Sequence, residues 1–220
     1  MRVVVSVGGS VLVPDLSPDR VAAYARSIQA LDDGGHTVGV VVGGGRTARE
    51  YIKPARELGA NEIELDDIGI AVTRLNARLL IAALDDRAAP APQETYVAGR
   101  EAIRRGDIPV MGGTVAGQTT DAVSAAFAEY VDADLLVLAT SVDGIYSADP
   151  ETSDDAEKYD QITTGDLVDL VAGVEMDAGS NVPVDLLAAK IIERAGLRTI
   201  VLDGSTPEAV RAAIETGDHE

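Results

Sequence analysis

Three glycine-rich segments and one acidic turn hold the residues of this chain whose types and spacing suit chemistry. Gly8-Gly9-Ser10 follows the apolar run Val3-Val4-Val5, Gly43-Gly44-Gly45 follows Val38 to Val42, and Gly112-Gly113-Thr114 follows Ile108-Pro109-Val110. Each cluster ends an apolar run that reads as a buried strand. Glycine lets a backbone come close to phosphate oxygens, and the N–H groups of a following helix start favour anions. In an open α/β sheet, ligands bind outside the carboxyl ends of the strands. Three such clusters on one sheet edge argue for a site that holds several phosphate groups from two ligands.

Each segment also has a plainer reading. A strand followed by Gly-Gly is often a tight turn. Gly8-Gly9-Ser10 is no dinucleotide fingerprint, and no G-K-[ST] occurs anywhere, so a nucleotide site here is of another type. Three successive glycines cost backbone entropy, and close approach to a ligand is the usual reason for them. Arg46 and Arg49 are three apart and face one way on a helix's first turn; they suit bidentate phosphate binding, or form a solvated pair. In the stretch Gly112 to Asp121, Thr119 or Thr120 can cap the next helix while hydroxyls and amides hold phosphate. Asp121 then falls in the first turn, as a complement to the helix dipole or as an active-site carboxylate. Asp143-Gly144-Ile145-Tyr146-Ser147-Ala148-Asp149-Pro150 is a turn-rich loop on the plain account. On the functional account it is an aromatic ring flanked by carboxylates, suited to a nucleobase and its ribose.

The elements that must position these residues alternate. Apolar β-branched runs predict strands at 2–7, 37–42, 108–111, 134–139 and 198–202, with a short one at 94–97. Helices are expected from Ser17-Pro18-Asp19 to Gly34, from near Arg46 to before Gly59, and over 67–85, 99–105, 119–131, 164–172 and 183–195. A last helix starts at Thr206-Pro207. Ser17 reads as an N-cap and Gly196 as a C-cap. In the 67–85 helix, Ile68, Val72, Leu75, Leu79 and Ala82-Ala83 are read as inward. Strand and helix in alternation imply an α/β fold with a mainly parallel sheet. A second lobe would begin near residue 140, with the late strand rejoining the main sheet.

The 220 residues are long enough for a sizeable core, and 46% are hydrophobic, which excludes a disordered chain. Cysteine is absent, so disulfides and thiolate-bound metals are excluded. His36 lies in a turn and His219 at the tail, which disfavours histidine catalysis, a zinc site and a Ser-His-Asp hydrolase. No apolar run reaches spanning length, and Met1-Arg2-Val3 runs straight into a strand without the shape of a leader. A cytoplasmic protein is expected. The formal net charge of −19 disfavours nucleic acid and anionic membranes as partners. Lysine occurs only at Lys53, Lys158 and Lys190. Such acidity, with few lysines, resembles proteins of halophilic archaea, in which concentrated salt screens self-repulsion.

Taken in order, the four segments resemble the amino acid kinase superfamily from end to end of the chain. The stretch Thr140-Ser141-Val142-Asp143-Gly144-Ile145-Tyr146-Ser147-Ala148-Asp149-Pro150 is typical of its uridylate kinases, and the likeness is greatest to those of archaea. The resemblance implies a three-layer αβα sandwich in a single domain over 1–220. A phosphoryl-acceptor lobe would cover about 1–139 and an ATP lobe about 140–220. It implies transfer of the ATP γ-phosphoryl group to UMP, with Mg²⁺ carried by ATP rather than by dedicated ligands. By position, Gly9, Ser10, Gly45 and Arg49 would contact ATP phosphates, and Thr140, Tyr146 and Asp149 its adenosine part. Gly44, Asp66 and the segment Thr114, Val115, Ala116, Gly117, Gln118, Thr119 and Thr120 would contact UMP. Asp121 matches the aspartate that organises catalytic groups, with Arg49 beside it in the catalytic set. A hexamer built from dimers is implied, with the 67–85 helix as a candidate contact. Many superfamily members carry lysine where this chain has Ser6, and a second lysine lacks a counterpart here: Asp185 falls near its position, and Lys190 reads as a surface residue. Rival readings are an isopentenyl phosphate or acetylglutamate kinase, or a nucleotide or oxyanion storage protein on the same fold.

Overall fold

A computed structural model describes residues 1–148, 153, 155–174 and 184–217. Five strands form one sheet in the order β3-β2-β1-β4-β5: β1 (Arg2–Val7), β2 (Thr37–Val42), β3 (Val110–Met111), β4 (Leu135–Thr140) and β5 (Thr199–Asp203). Every pairing is parallel, with Val5 opposite Val40 on one side and Val137 on the other. Buried on both faces, these strands are near-continuous runs of valine and leucine.

Helices cover both faces. Val3, Val5, Val7, Val40 and Val137 point into one core with α1 (Gly9–Leu12), α2 (Pro18–Asp33), α4 (Glu62–Leu84) and α9 (Pro207–Glu215). Val4, Val41, Leu136 and Leu138 point into the other, with α6 (Thr120–Tyr130), α7 (Thr164–Val174) and α8 (Leu186–Ala195). The chain is therefore the expected αβα sandwich, and among the described residues every strand of the sheet runs parallel to its neighbours. All five strand carboxyl ends lie on one edge. Strand order reverses around β1, where an open sheet leaves its crevice. No helix among the described residues is long and apolar enough to cross a membrane.

Several boundaries differ from the sequence reading. Residues 94–97 are no strand: Thr95 accepts a hydrogen bond from the Ala98 N–H and caps α5 (Tyr96–Arg105), so local capping overrides the β-prone Thr-Tyr-Val run. The strand at 108–111 shortens to Val110–Met111, with Ile108 making only an isolated bridge to Ala88. Ser17 and Thr206 hold the N-cap positions of α2 and α9, but neither side chain makes the capping bond. The helix read as 67–85 starts earlier, because Asn61 and Glu64 form a reciprocal capping box. Its inward face is also rotated. Leu65, Val72, Asn76, Ala77, Leu80 and Leu84 are buried, whereas Leu75 and Leu79 are 57% and 40% exposed. The helix carries two apolar stripes, and periodicity cannot tell which one meets the sheet. The expected helix start at residue 183 lies outside the described residues; α8 begins at Leu186, capped by Asp185 accepting from the Ala188 N–H.

Candidate active site

The loops leaving the strand ends are stitched together by backbone hydrogen bonds. The Gly8 N–H donates to the Ala139 carbonyl (3.0 Å), the Gly43 N–H to that of Val7 (2.9 Å), and the Gly204 N–H to that of Thr140 (2.8 Å). Sheet register thus places the loops after β1, β2, β4 and β5 side by side. Gly9 and Gly45 cross so closely that a Cβ on Gly9 would lie 2.2 Å from the Gly45 nitrogen, and one on Gly45 2.3 Å from the Gly9 carbonyl carbon. Gly45 also has φ +61°, the left-handed region that favours glycine. The glycine run at 43–45 therefore has a reason within the chain, contact with another loop, besides any approach to a ligand.

The two arginines of the first turn of α3 (Gly45–Glu57) do not act as a pair. Arg49 reaches back across the crossing, its Nη2 donating to Ser10 Oγ at 3.2 Å. Arg46 turns to Glu50 at 3.1 Å, both side chains well exposed. Arg49, Ser10, Gly9 and Gly45 are thus brought together, and Arg46 is left on the surface.

On the other side of β1 the site is acidic. Thr119 caps α6, accepting from the Ala122 N–H at 3.0 Å, and its hydroxyl donates to Asp185 Oδ2. Ser6, almost fully buried at the end of β1, donates to Asp121 Oδ1 at 3.4 Å. Burial and the neighbouring Asp185 carboxylate push Asp121 up to about 7, while the Ser6 hydroxyl draws it down. The dipole account of Asp121 does not cover this arrangement, because a carboxylate placed merely to complement a helix start is solvated and readily ionised. Sequence reasoning found Ser6, Asp121 and Asp185 separately but not as one cluster; Ser6 lies 115 residues before Asp121, Asp185 is further on along the chain, and only the β1–α6–α8 packing joins them. Lys190 is exposed on α8.

Segment 114–118 folds over the other side of the glycine loops. Gln118 Oε1 accepts from the Thr114 hydroxyl (3.0 Å) and the Tyr96 hydroxyl (3.3 Å), and Asp66 Oδ2 accepts from the Gly117 N–H (2.8 Å). A cleft of about 550 Å³ opens beside it, against Ile70, Arg74, Thr114 and Val115. Beyond β4, Asp143 Oδ1 accepts from the Tyr146 hydroxyl at 2.8 Å and Oδ2 from Lys158 Nζ at 3.2 Å. These bonds hold Asp143 below the usual carboxylate range, the Tyr146 bond most of all. Thr140 ends β4 and its hydroxyl accepts from the Val142 N–H at 3.0 Å. Asp149 lies outside the described residues. Among the described residues, no group of three or more His, Asp or Glu side chains is placed to hold a metal ion.

One set of contacts at this edge had no counterpart in the sequence reading. Thr73, Arg74 and Asn76 of α4 bond directly to the backbones of two glycine loops. The available signal was Thr73 and Asn76, polar residues in the inward register of a mainly apolar helix face.

The geometry can be set beside known proteins. The sequence model of the amino acid kinase family matches residues 1–203. The chain is 70% identical over its full 220 residues to a uridylate kinase of Haloarcula marismortui, covering 96% of that protein. It is 65% identical, again over its full length, to a uridylate kinase of Halobacterium salinarum, of which it covers 91%. Among solved structures, a uridylate kinase from Archaeoglobus fulgidus superposes with a TM-score of 0.89 at 46% identity, over 98% of this chain and 96% of that one.

Proposed function

The chain belongs to the amino acid kinase family, and we infer from that premise that it transfers the γ-phosphoryl group of ATP to UMP. It is a nucleoside monophosphate kinase, a phosphotransferase that makes UDP for pyrimidine nucleotide synthesis. The observation that carries this is the 70% identity, end to end, to a uridylate kinase. The same likeness to relatives from halophilic archaea accounts for the net charge of −19.

Phosphoryl transfer needs in-line positioning and charge neutralisation more than covalent chemistry. In this reading the crossing loops, with Gly9, Ser10, Gly45 and Arg49, hold the donor phosphates. Arg49 supplies a guanidinium whose fork suits phosphate oxygens. Thr140, Tyr146 and Asp149 receive the adenosine part. Gly44, Asp66 and residues 114–120 receive UMP, and the bonds from Asp66 and Gln118 fix the backbone of that segment in advance. The acceptor phosphate oxygen is already anionic, so no general base is required. Asp121 organises the groups between donor and acceptor. Its charge state is set by burial, Asp185 and Ser6, with no basic group among them. Mg²⁺ bound with ATP supplies neutralisation of charge on the transferring group.

Residues 1–220 act as one unit in this reading, with the acceptor lobe in about 1–139 and the donor lobe in about 140–220, in the cytoplasm. The bare stripe of α4, with Leu75 and Leu79 exposed, supports contact with a second copy and assembly into a hexamer from dimers. The reading is tested by ADP release in molar potassium chloride with Mg²⁺-ATP and UMP, CMP, dUMP, isopentenyl phosphate or N-acetylglutamate. Turnover with UMP far above the others is expected. Preference for another acceptor, or ATP binding without turnover, would overturn it.

A further inference from the structure

We propose that Thr73 and Asn76 are positioning residues that fix the spacing between the donor and acceptor loops. The proposal deepens the kinase reading and rests on it. The two side chains are three apart on α4 and face the same way, into the strand ends. Asn76 is 1% exposed, and its Nδ2 donates to the carbonyls of both Gly43 (2.9 Å) and Gly44 (3.2 Å). Thr73 Oγ1 accepts from the Gly113 N–H (2.7 Å) while donating to the Ile70 carbonyl (2.7 Å). Arg74 Nε adds a bond to the Gly113 carbonyl at 3.2 Å.

The Gly43 carbonyl and both Gly113 backbone groups meet α4, and the Gly44 carbonyl is shared between Asn76 and the Ala48 N–H (3.3 Å). The loop after β2 is tied to β1 through the Gly43 N–H, and the loop after β3 leaves a strand of only two residues. The bonds to α4 add a support outside the sheet that holds these two loops relative to each other. α4 does so rigidly: it is 23 residues long and packed against the sheet through Ala77, Leu80 and Leu84. The loops lie directly on it. A Cβ on Gly112 would meet Thr73 Oγ1 at 2.5 Å, and one on Gly113 would meet Ile70 Cγ1 at 2.8 Å. One helix face thus sets where Gly44 and Gly45 stand relative to residues 114–120. Phosphoryl transfer depends on that separation, since a misplacement of an ångström weakens in-line attack strongly.

The two residues differ in reach, and this yields a discriminating test. Thr73 bonds only the acceptor loop, so Thr73→Val, which keeps the side-chain shape and removes the hydroxyl, should raise KM for UMP about tenfold, the scale of one lost hydrogen bond. KM for ATP should stay within about twofold, and Thr73→Ser should restore the wild-type value. Asn76→Ala should lower kcat, because the loop it frees carries residues for both substrates. Urea unfolding confirms that each variant is folded. Equal changes in both KM values, no change at all, or failure of Thr73→Ser to restore would overturn the proposal. Amide exchange on the ligand-free protein separates it from the kinase reading: Thr73→Val should speed exchange at Gly113 and leave Gly43 unaltered. Unchanged exchange at Gly113 defeats the positioning role alone, and absence of UMP turnover by the wild type defeats the kinase reading alone.

Discussion

Replacing Asp121 with Asn should make the protein more stable and nearly inactive, and the gain in stability should depend on pH. The carboxyl of Asp121 is raised from 3.8 to about 7 by burial and by Asp185. Below about pH 4 it is protonated in folded and unfolded chains alike and contributes no difference. Between about 4 and 7 the folded chain keeps a proton that the unfolded chain has released, so stability falls as pH rises. Above 7 the full cost of a buried anion is present. A shift of about three units, at about 1.4 kcal/mol each, sets a ceiling of roughly 4 kcal/mol. Water at the open strand edge lowers this to about 2–4 kcal/mol, most of it developing between about pH 4 and 7. Asparagine keeps the shape, accepts the Ser6 bond and carries no charge. Urea unfolding of both proteins at pH 5 and pH 8, in the same potassium chloride concentration, reads the gap, and the carboxylates not coupled to Asp121 cancel in the comparison. At about 2–4 °C per kcal/mol for a chain of this size, Tm at pH 8 should rise by about 4–16 °C. Turnover with UMP should fall by at least about a hundredfold. A stability gap that is the same at both pH values, or a wild type as stable as the variant at pH 8, would refute the reasoning.

Gly45→Ala should cost about 3 kcal/mol or more and abolish binding of ATP and UMP together, because its Cβ meets the Gly9 backbone at 2.3 Å. Gly59→Ala is the comparator: φ is +92° with open space around it, so only the backbone strain of about 1 kcal/mol should appear in unfolding. Tm should climb as potassium chloride rises from about 0.2 to 2 M, since salt screens the net charge of −19 and the mostly exposed ion pairs offset little of it; a Tm indifferent to salt would sink this. In the proposed assembly, Leu75→Glu with Leu79→Glu should leave monomers in light scattering without lowering monomer stability, as both side chains are already exposed; a mass equal to that of the wild type would remove this stripe from the proposed interface.

The strands, their parallel pairing and the position of the glycine loops were legible because each is a local pattern: valine runs, then glycine, then a helix start. Residues 94–97 were misread because Thr95, Tyr96 and Val97 favour strands by composition, and the single Thr95 cap outweighs that. The face of α4 was misread for a different reason: both stripes obey helical spacing, and only the Thr73 and Asn76 bonds with the sheet packing decide between them. The Ser6–Asp121–Asp185 cluster is hidden in the sequence for want of any local signal. Arg46 and Arg49 show the limit of spacing arguments, since facing one way left one in the site and the other with Glu50.

Where two side chains meet, a change in one can be answered by a change in the other. Gly9 and Gly45 meet backbone to backbone, so neither has an atom to give up. That crossing is a fixed point for divergence: no paired substitution can widen or narrow it, and a lineage that alters the acceptor must do so at residues hung from it. The helix face opposite, with Thr73 and Asn76, offers hydroxyl and amide groups that can be exchanged one at a time. With the acceptor site proposed above, change in substrate preference on this scaffold is channelled away from the joint and onto α4 and the 114–120 segment.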